Sequence, residues 1–341
     1  MHTLHHPPPI GHTASKSSPT DRFGRRITYL RLSVTDRCNL RCRYCMPVHG
    51  IERKPRGELL TWEELTRLTG IFNRLGIVKL RITGGEPFLR KGLLDFIRTV
   101  SGFPELNSIH ITTNGVGVAP LVPQLKTISI SGINLSLDTL DRHRFEEITG
   151  QDALESVLAT FEALLEHSIP LKINTVVRGG FNTDEILKIA RLAEDHPVEV
   201  RFIEEMPLIG TGEPYSGWDA EHMVRLLRSG FHELIPLPAK SSTAQLFAIQ
   251  GFAGKIGVIA GNSRSFCSRC NRTRITAAGK LQTCLYGPGV LDVKRMLRDG
   301  ASNSEITRAI TDRIWNRSRD GFEAYKTRKL KTAESMAAIG G

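Results

Sequence analysis

The chain has 341 residues, 40% of them hydrophobic, and a formal net charge of +11 at pH 7. No run approaches the length of a membrane-spanning helix. The first twenty residues are rich in His, Pro and Ser, with no apolar core segment and no arginine, which argues against a secretory signal or a transit peptide and predicts a disordered tail over 1–20.

Residues 27–35 are apolar and rich in strand formers. Residues 61–75 read as a helix opened by a capping box at Thr61 and Glu64. Strand signals follow at 77–82, 108–112, 132–137, 171–177 and 198–203. Helical stretches at 91–100, 152–165 and 184–194 separate them, and Pro120 and Pro123 allow only a short helix in the third connection. Six strands joined by crossovers predict a parallel α/β sheet, an open or partial (β/α)6 barrel of the TIM type, over 21–219. From 220 to 341 the pattern breaks into a short helix, strand-like pieces at 245–249 and 255–259, and a helical tail. This predicts a smaller C-terminal domain capping the barrel.

Each predicted strand ends in a polar or glycine-bearing motif. These are the first cysteine loop, Thr83-Gly84-Gly85-Glu86-Pro87, Thr112-Thr113-Asn114-Gly115, Ser136-Leu137-Asp138, Lys172 with Asn174, and Arg201-Phe202-Ile203-Glu204-Glu205-Met206. The carboxyl ends of parallel barrel strands share one face, where such folds build active sites. Glycines let a backbone approach a ligand closely, and Glu86 can accept a hydrogen bond from an ammonium.

All six cysteines fall into two groups of three: Cys38, Cys42 and Cys45, spaced C-x3-C-x2-C, and Cys267, Cys270 and Cys284, spaced C-x2-C-x13-C. Clustered thiols without an export signal predict a reducing cytoplasm. Soft thiolates favour iron–sulfur groups or zinc. Three thiolates hold three irons of a four-iron cluster and leave the fourth open to a ligand. Zinc remains the rival, with His49 close to the first group. The positive charge suits either nucleic acid or an anionic small molecule. Arg31, Arg37, Arg41, Arg43, Arg264, Arg269, Arg272 and Arg274 flank the cysteine groups, which favours the small molecule.

With the C-x3-C-x2-C run and the Gly84-Gly85-Glu86-Pro87 turn, the sequence resembles the radical S-adenosylmethionine (SAM) enzymes. More narrowly, from about residue 21 to 341 it resembles the GTP 3′,8-cyclases of the molybdenum cofactor biosynthesis protein A family. The resemblance is carried by residues 30–38, 79–87 and 201–204, by the second cysteine group with Asn271-Arg272-Thr273-Arg274, and by the terminal Ile339-Gly340-Gly341. It implies a lyase with two [4Fe-4S] clusters, one on each cysteine group, and SAM held by Tyr44, Gly85, Glu86, Ser136 and Met206. It implies GTP held by Arg31, Lys79, Arg81, Thr112, Lys172, Arg272, Thr273 and Arg274. Arg201 and the Gly340-Gly341 tail would support catalysis. The reaction implied is abstraction of the ribose C3′ hydrogen of GTP by a 5′-deoxyadenosyl radical and closure of C3′ on guanine C8. Implied partners are an electron donor of flavodoxin or ferredoxin type and a downstream cyclic pyranopterin monophosphate synthase. A homodimer is also expected; nucleic acid and membrane are not. Another radical SAM enzyme with an auxiliary cluster, acting on a peptide or other substrate, is the alternative within enzymes. A zinc-stabilised nucleic-acid-binding protein is the alternative outside them.

Overall fold

The computed structural model describes residues 18–46, 53–128, 130–206, 216–238, 243–327 and 336–340. Six βα units form its frame. In chain order they are β1 (Tyr29–Ser33), α1 (Trp62–Arg74), β2 (Lys79–Thr83), α2 (Leu93–Ser101), β3 (Ser108–Thr113), α3 (Val122–Thr127), β4 (Gly132–Ser136), α4 (Arg142–Thr149), α5 (Leu154–Glu166), β5 (Leu171–Val177), α6 (Ile186–Ala190), α7 (Leu192–Asp195) and β6 (Glu199–Glu204). The rest comprises α8 (Ala220–Gly230), β7 (Leu234–Pro236), β8 (Gln245–Ile249), β9 (Lys255–Ile259), β10 (Arg272–Ile275), β11 (Lys280–Gln282), β12 (Leu291–Asp292), α9 (Val293–Arg298), α10 (Asn303–Trp315), α11 (Gly321–Lys326) and α12 (Met336–Ile339). The capping box at Thr61 and Glu64 opens α1, and α3 is short, with Pro123 in its first turn.

The described strands make one 12-stranded sheet in the order β12-β11-β10-β1-β2-β3-β4-β5-β6-β9-β8-β7. The six predicted strands are adjacent and parallel. The C-terminal strands extend this sheet at both edges instead of forming a sheet of their own: β10 runs parallel beside β1, and β9 parallel beside β6. The consequence is functional, because β10 carries Arg272 and Arg274 into register with Tyr29 and Arg31.

The period of two along each strand decides what faces the lumen. Leu30 and Leu32, Leu80 and Ile82, Ile133 and Leu135, and Val200 and Phe202 are buried in the core shared with the helices. Burial of each such side chain stabilises by about 1.5–3 kcal/mol. The alternate positions are polar: Tyr29 and Arg31, Lys79 and Arg81, Asn134 and Ser136, Lys172 and Asn174, and Arg201. The outer face therefore drives folding, and the inner face is left free for chemistry.

The fold begins earlier than residue 21, which corrects the tail expected over 1–20. Ser18 is buried with its hydroxyl donating to the Gly76 carbonyl at 2.7 Å, and the Pro19 carbonyl accepts from the Ile27 N–H at 2.8 Å. Polar pairing, which composition does not report, fixes residues 18–20. Residues 1–17 lie outside the described set.

Candidate active site

The first cysteine loop leaves the end of β1 and packs on the turn after β2. The Gly85 and Glu86 N–H groups donate to the Thr35 and Arg37 carbonyls at 2.8 and 2.7 Å. A Cβ on Gly84 would lie 2.7 Å from the Thr35 oxygen, and one on Gly85 would collide with the Arg37 carbonyl. Both positions therefore need glycine because two backbones touch there.

Glu86 is fully buried and accepts from the Phe88 N–H (3.1 Å), the Thr113 hydroxyl (2.8 Å) and the Asn114 N–H (2.7 Å). Tyr44 donates to Asp138 at 2.7 Å, and the Val176 N–H donates to the other Asp138 oxygen at 2.8 Å. Cys38, Cys42, Cys45, Tyr44, Gly84, Gly85, Thr112, Asn114, Ser136, Asp138 and Met206 line one cavity of about 200 Å³. Sequence reasoning had these residues on separate strand ends; the sheet brings them together.

The second cavity, of about 320 Å³, fills the lumen. Arg31, Lys79, Arg81, Lys172, Arg201, Arg272 and Arg274 line it, together with Cys267, Cys270 and Cys284. Glu199 pairs with Lys172 and Arg201. Burial, followed by neighbouring charges, pushes Arg31 well below the ordinary arginine range. Burial likewise lowers Lys79, Lys172 and Arg201, and burial with the nearby Arg272 brings Arg274 to about 10. A lumen whose cations crowd one another in this way is built for a polyanion.

Two expected contacts sit elsewhere. Thr273 lies on the opposite face of β10, paired with Leu30, and its hydroxyl donates to the Gln282 carbonyl at 3.3 Å. The period of two removes its side chain from the lumen, which corrects its place among the substrate contacts. Thr112 lines the first cavity and accepts from Arg81 at 3.2 Å. Sequence reasoning missed Tyr29. It stands two residues before Arg31 on the same strand face, and its hydroxyl accepts from Arg81 Nε. Burial raises its pKa, but Arg81, Arg31 and Arg272 outweigh this and bring it down to about 7.

The tail enters between the strand ends. Met336 lines both cavities, and the Gly340 carbonyl accepts from Arg274 at 2.9 Å. Gly341 lies outside the described residues.

The cysteine groups fit iron–sulfur ligation by their donor chemistry. The Cys38 sulfur accepts the Leu40 N–H at 3.4 Å, and the backbone groups of Ala337, Gly321, Arg272 and Tyr286 favour the thiolates of Cys45, Cys267, Cys270 and Cys284. Such N–H···S bonds suit thiolates bound to iron. Among the described residues, no trio of His, Cys, Asp or Glu stands arranged around a single-ion position. Burial pushes Cys45 up to about 12 and raises Cys38, Cys42, Cys267 and Cys284. Cys270 alone is lowered: burial raises it, but Arg317 and Arg272 more than offset this.

A pH prediction follows from the buried carboxyls. Burial lifts Glu86 to about 7 and Asp138 to about 6, despite their hydrogen bonds. A carboxyl raised on folding stabilises most below its unfolded pKa, and that contribution is lost as pH rises through its folded pKa. The ligand-free protein should therefore lose up to about 1.4 kcal/mol per pH unit from Glu86 alone between about pH 4.5 and 7, relative to Glu86→Gln. Urea unfolding of both proteins from pH 5 to 8 checks this; a constant difference between them refutes it.

Residues 32–193 match the family model of the radical SAM superfamily, and residues 198–322 that of Molybdenum Cofactor Synthesis C. The chain is 38% identical over 324 residues to the GTP 3′,8-cyclase of Moorella thermoacetica, covering 94% of this chain and 99% of that one. It is 40% identical over 320 residues to the human Molybdenum cofactor biosynthesis protein 1, covering 92% of this chain and 50% of the relative, so it spans about half the length of that protein. Among solved structures, Streptococcus suis SuiB bound to S-adenosylmethionine superposes with a TM-score of 0.58 at 15% identity, over 82% of this chain and 68% of SuiB, which shows the shared fold. Fold and matched regions define the class, a radical SAM barrel with an added C-terminal part. Within that class, the chain belongs to the GTP 3′,8-cyclase family.

Proposed function

We propose that this chain cyclises GTP by radical chemistry, as the first step of molybdenum cofactor biosynthesis. The observation that carries the reading is the junction of the two cavities. The chamber of the first cysteine group and the cationic lumen share Asn174, Ile203, Met206 and Met336 along their borders. The two chambers adjoin, so a reactive species made in one would lie next to a substrate held in the other.

In this reading Cys38, Cys42 and Cys45 hold one [4Fe-4S] cluster, and Cys267, Cys270 and Cys284 hold the other. When bound, the first cluster and SAM together supply a 5′-deoxyadenosyl radical. Gly85 takes the SAM methionyl group; Glu86, expected beside it, is buried outside the cavity lining and holds the turn after β2 to Thr113 and Asn114, while Tyr44, Ser136 and Met206 border the remainder. Arg31, Lys79, Arg81, Lys172, Arg272 and Arg274 hold the triphosphate and guanine, arginine forks matching phosphate oxygens. Arg201, held by Glu199, keeps the base of the lumen positive. Ribose C3′ would lose its hydrogen to the 5′-deoxyadenosyl radical, C3′ would close on C8, and one electron from the reduced clusters with one proton at N7 would complete 3′,8-cyclo-7,8-dihydro-GTP, an isomer of GTP. Burial keeps water away from the reacting centre.

The same reading carries a flavodoxin- or ferredoxin-type electron donor, a downstream cyclic pyranopterin monophosphate synthase, a homodimer and a cytoplasmic location. Among the described residues, no helix is long and apolar enough to cross a membrane. A peptide substrate fits less well, because the cations line a lumen cavity of about 320 Å³, the size of a small-molecule site.

The test is anaerobic turnover of reconstituted protein with SAM and dithionite, with or without GTP, quantified by mass spectrometry. We expect 5′-deoxyadenosine formation to depend on GTP and a cyclised isomer of GTP to appear. SAM cleavage indifferent to GTP, with no nucleotide product, would sink the substrate assignment.

A further inference from the structure

Three segments distant in sequence meet behind the second cysteine group. The Asp21 carboxylate is fully buried; Arg25 Nε donates to it at 2.6 Å, and Arg317 Nε faces the same oxygen at 3.6 Å, an ion pair longer than a hydrogen bond. Arg25 donates to the carbonyls of Cys267 (3.0 Å), Ser318 (2.7 Å) and Arg319 (2.5 Å). Arg317 donates to the carbonyls of Cys270 (3.3 Å) and Arg272 (3.4 Å), and its other terminal nitrogen lies 3.6 Å from the Cys270 sulfur. Both arginines are almost fully buried.

The charge count is unbalanced. One carboxylate faces two guanidiniums, which leaves one positive charge without an anion in a buried place. Burying an uncompensated charge is costly, and each carbonyl contact recovers only part of that cost. An anionic group on three thiolates, 3.6 Å from the Arg317 fork, would supply the missing charge. Placement matters as much as charge. The fork grips the backbone on both sides of Asn271, so Arg317 fixes where Cys270 points.

We propose that Arg317, held by the Cys270 and Arg272 carbonyls and ion-paired with Asp21, is a positioning residue for the second iron–sulfur group, and that its charge and its hydrogen bond to Cys270 raise that group's reduction potential. The proposal rests on reading Cys267, Cys270 and Cys284 as cluster ligands. Adding an electron increases negative charge on the cluster and its sulfurs. A cation and an N–H donor beside one sulfur favour the reduced state. Among the described residues, the side chain that meets a sulfur of the first group at this distance is a neutral amide, Asn114 Nδ2 at 3.6 Å from Cys38. The same fold thus gives its two groups different electrostatic surroundings.

The test is an anaerobic redox titration of full-length reconstituted protein, followed by electron paramagnetic resonance with iron quantified per chain. The signal perturbed by SAM reports the first group, and the signal perturbed by GTP reports the second. In Arg317→Met, the ratio of reduced to oxidised second group at the wild-type midpoint should fall about tenfold, equivalent to about 59 mV for one electron. The SAM-sensitive signal should not move. Arg317→Lys, which keeps the charge but not the fork, should shift less. Loss of iron from the second group alone also supports the positioning role. Full loading with an unmoved GTP-sensitive midpoint overturns the proposal. If Arg317→Met does not fold, Arg317→Gln is read by the same criterion. A wild-type protein that shows no second signal refutes the ligand reading itself, and is told apart because there is then nothing to shift.

Discussion

Replacing Arg272 and Arg274 together by alanine is expected to reduce GTP turnover by about a hundredfold to ten-thousandfold, while leaving the protein at least as resistant to heat as the wild type. The first half follows from the contacts a triphosphate would lose. Each charge-assisted hydrogen bond contributes about 1.5–3 kcal/mol, and 1.4 kcal/mol is a factor of ten. The second half follows from the crowding of the lumen. Burial and the proximity of Arg272 already hold Arg274 down to about 10, and Arg31 is lowered by burial and then by Arg274. Removing two of these cations relieves repulsion that Glu199 offsets only in part. Stability and function should therefore move in opposite directions. Kinetics with GTP alongside thermal unfolding without nucleotide tests the pair of claims. Unchanged turnover, or a clear drop in Tm, would show that the arginines act as structural ties. The single variants separate two roles. Arg272 donates to the Thr243 hydroxyl at 3.1 Å, whereas Arg274 also anchors the Gly340 carbonyl, so Arg274→Ala should cost more.

Part of this site was legible in the sequence through the family resemblance, which implied Arg31 and Arg81 as substrate contacts. The structure supplies the physical reason: a parallel strand buried on its outer face alternates apolar and free positions, so Leu-Arg-Leu in β1 and Leu-Arg-Ile in β2 turn both arginines to the lumen. Cysteine spacing marked both ligand groups directly. Thr273 was misplaced because it sits between two arginines, and membership in a motif says nothing about which face a residue takes. Tyr29 was legible by the same alternation but lacked a charge to draw notice. Arg317 and Asp21 carried no signal. Their meaning comes from a contact between residues almost three hundred positions apart, which neither composition nor spacing encodes. The strand β10 was harder still. Only four residues long, it is placed beside β1 by tertiary pairing and by no local propensity.

Gly340→Ala is expected to lower GTP turnover by about a hundredfold, the scale on which small misplacements near a reacting centre act, without affecting cluster loading. Gly340 has φ +88, a conformation that strains any residue with a Cβ. An added Cβ would land on the Thr83 hydroxyl and come within 3.0 Å of the Ser33 Cβ. Neither neighbour can retreat easily, because Ser33 and Thr83 are paired ends of β1 and β2 and both are buried. The tail must therefore withdraw. Withdrawal removes the Gly340 carbonyl from Arg274 and shifts α12, whose Met336 borders both cavities. One methyl group would thus disturb both chambers and their junction. Gly102→Ala is the control: φ is −79 there, and an added Cβ meets nothing closer than 3.5 Å, so it should be neutral. The measurements are 5′-deoxyadenosine formed with and without GTP, together with iron content. Full coupling to GTP in Gly340→Ala would mean that the tail merely rests at the barrel mouth. A selective loss of the GTP-dependent part would make it a wall of the substrate chamber.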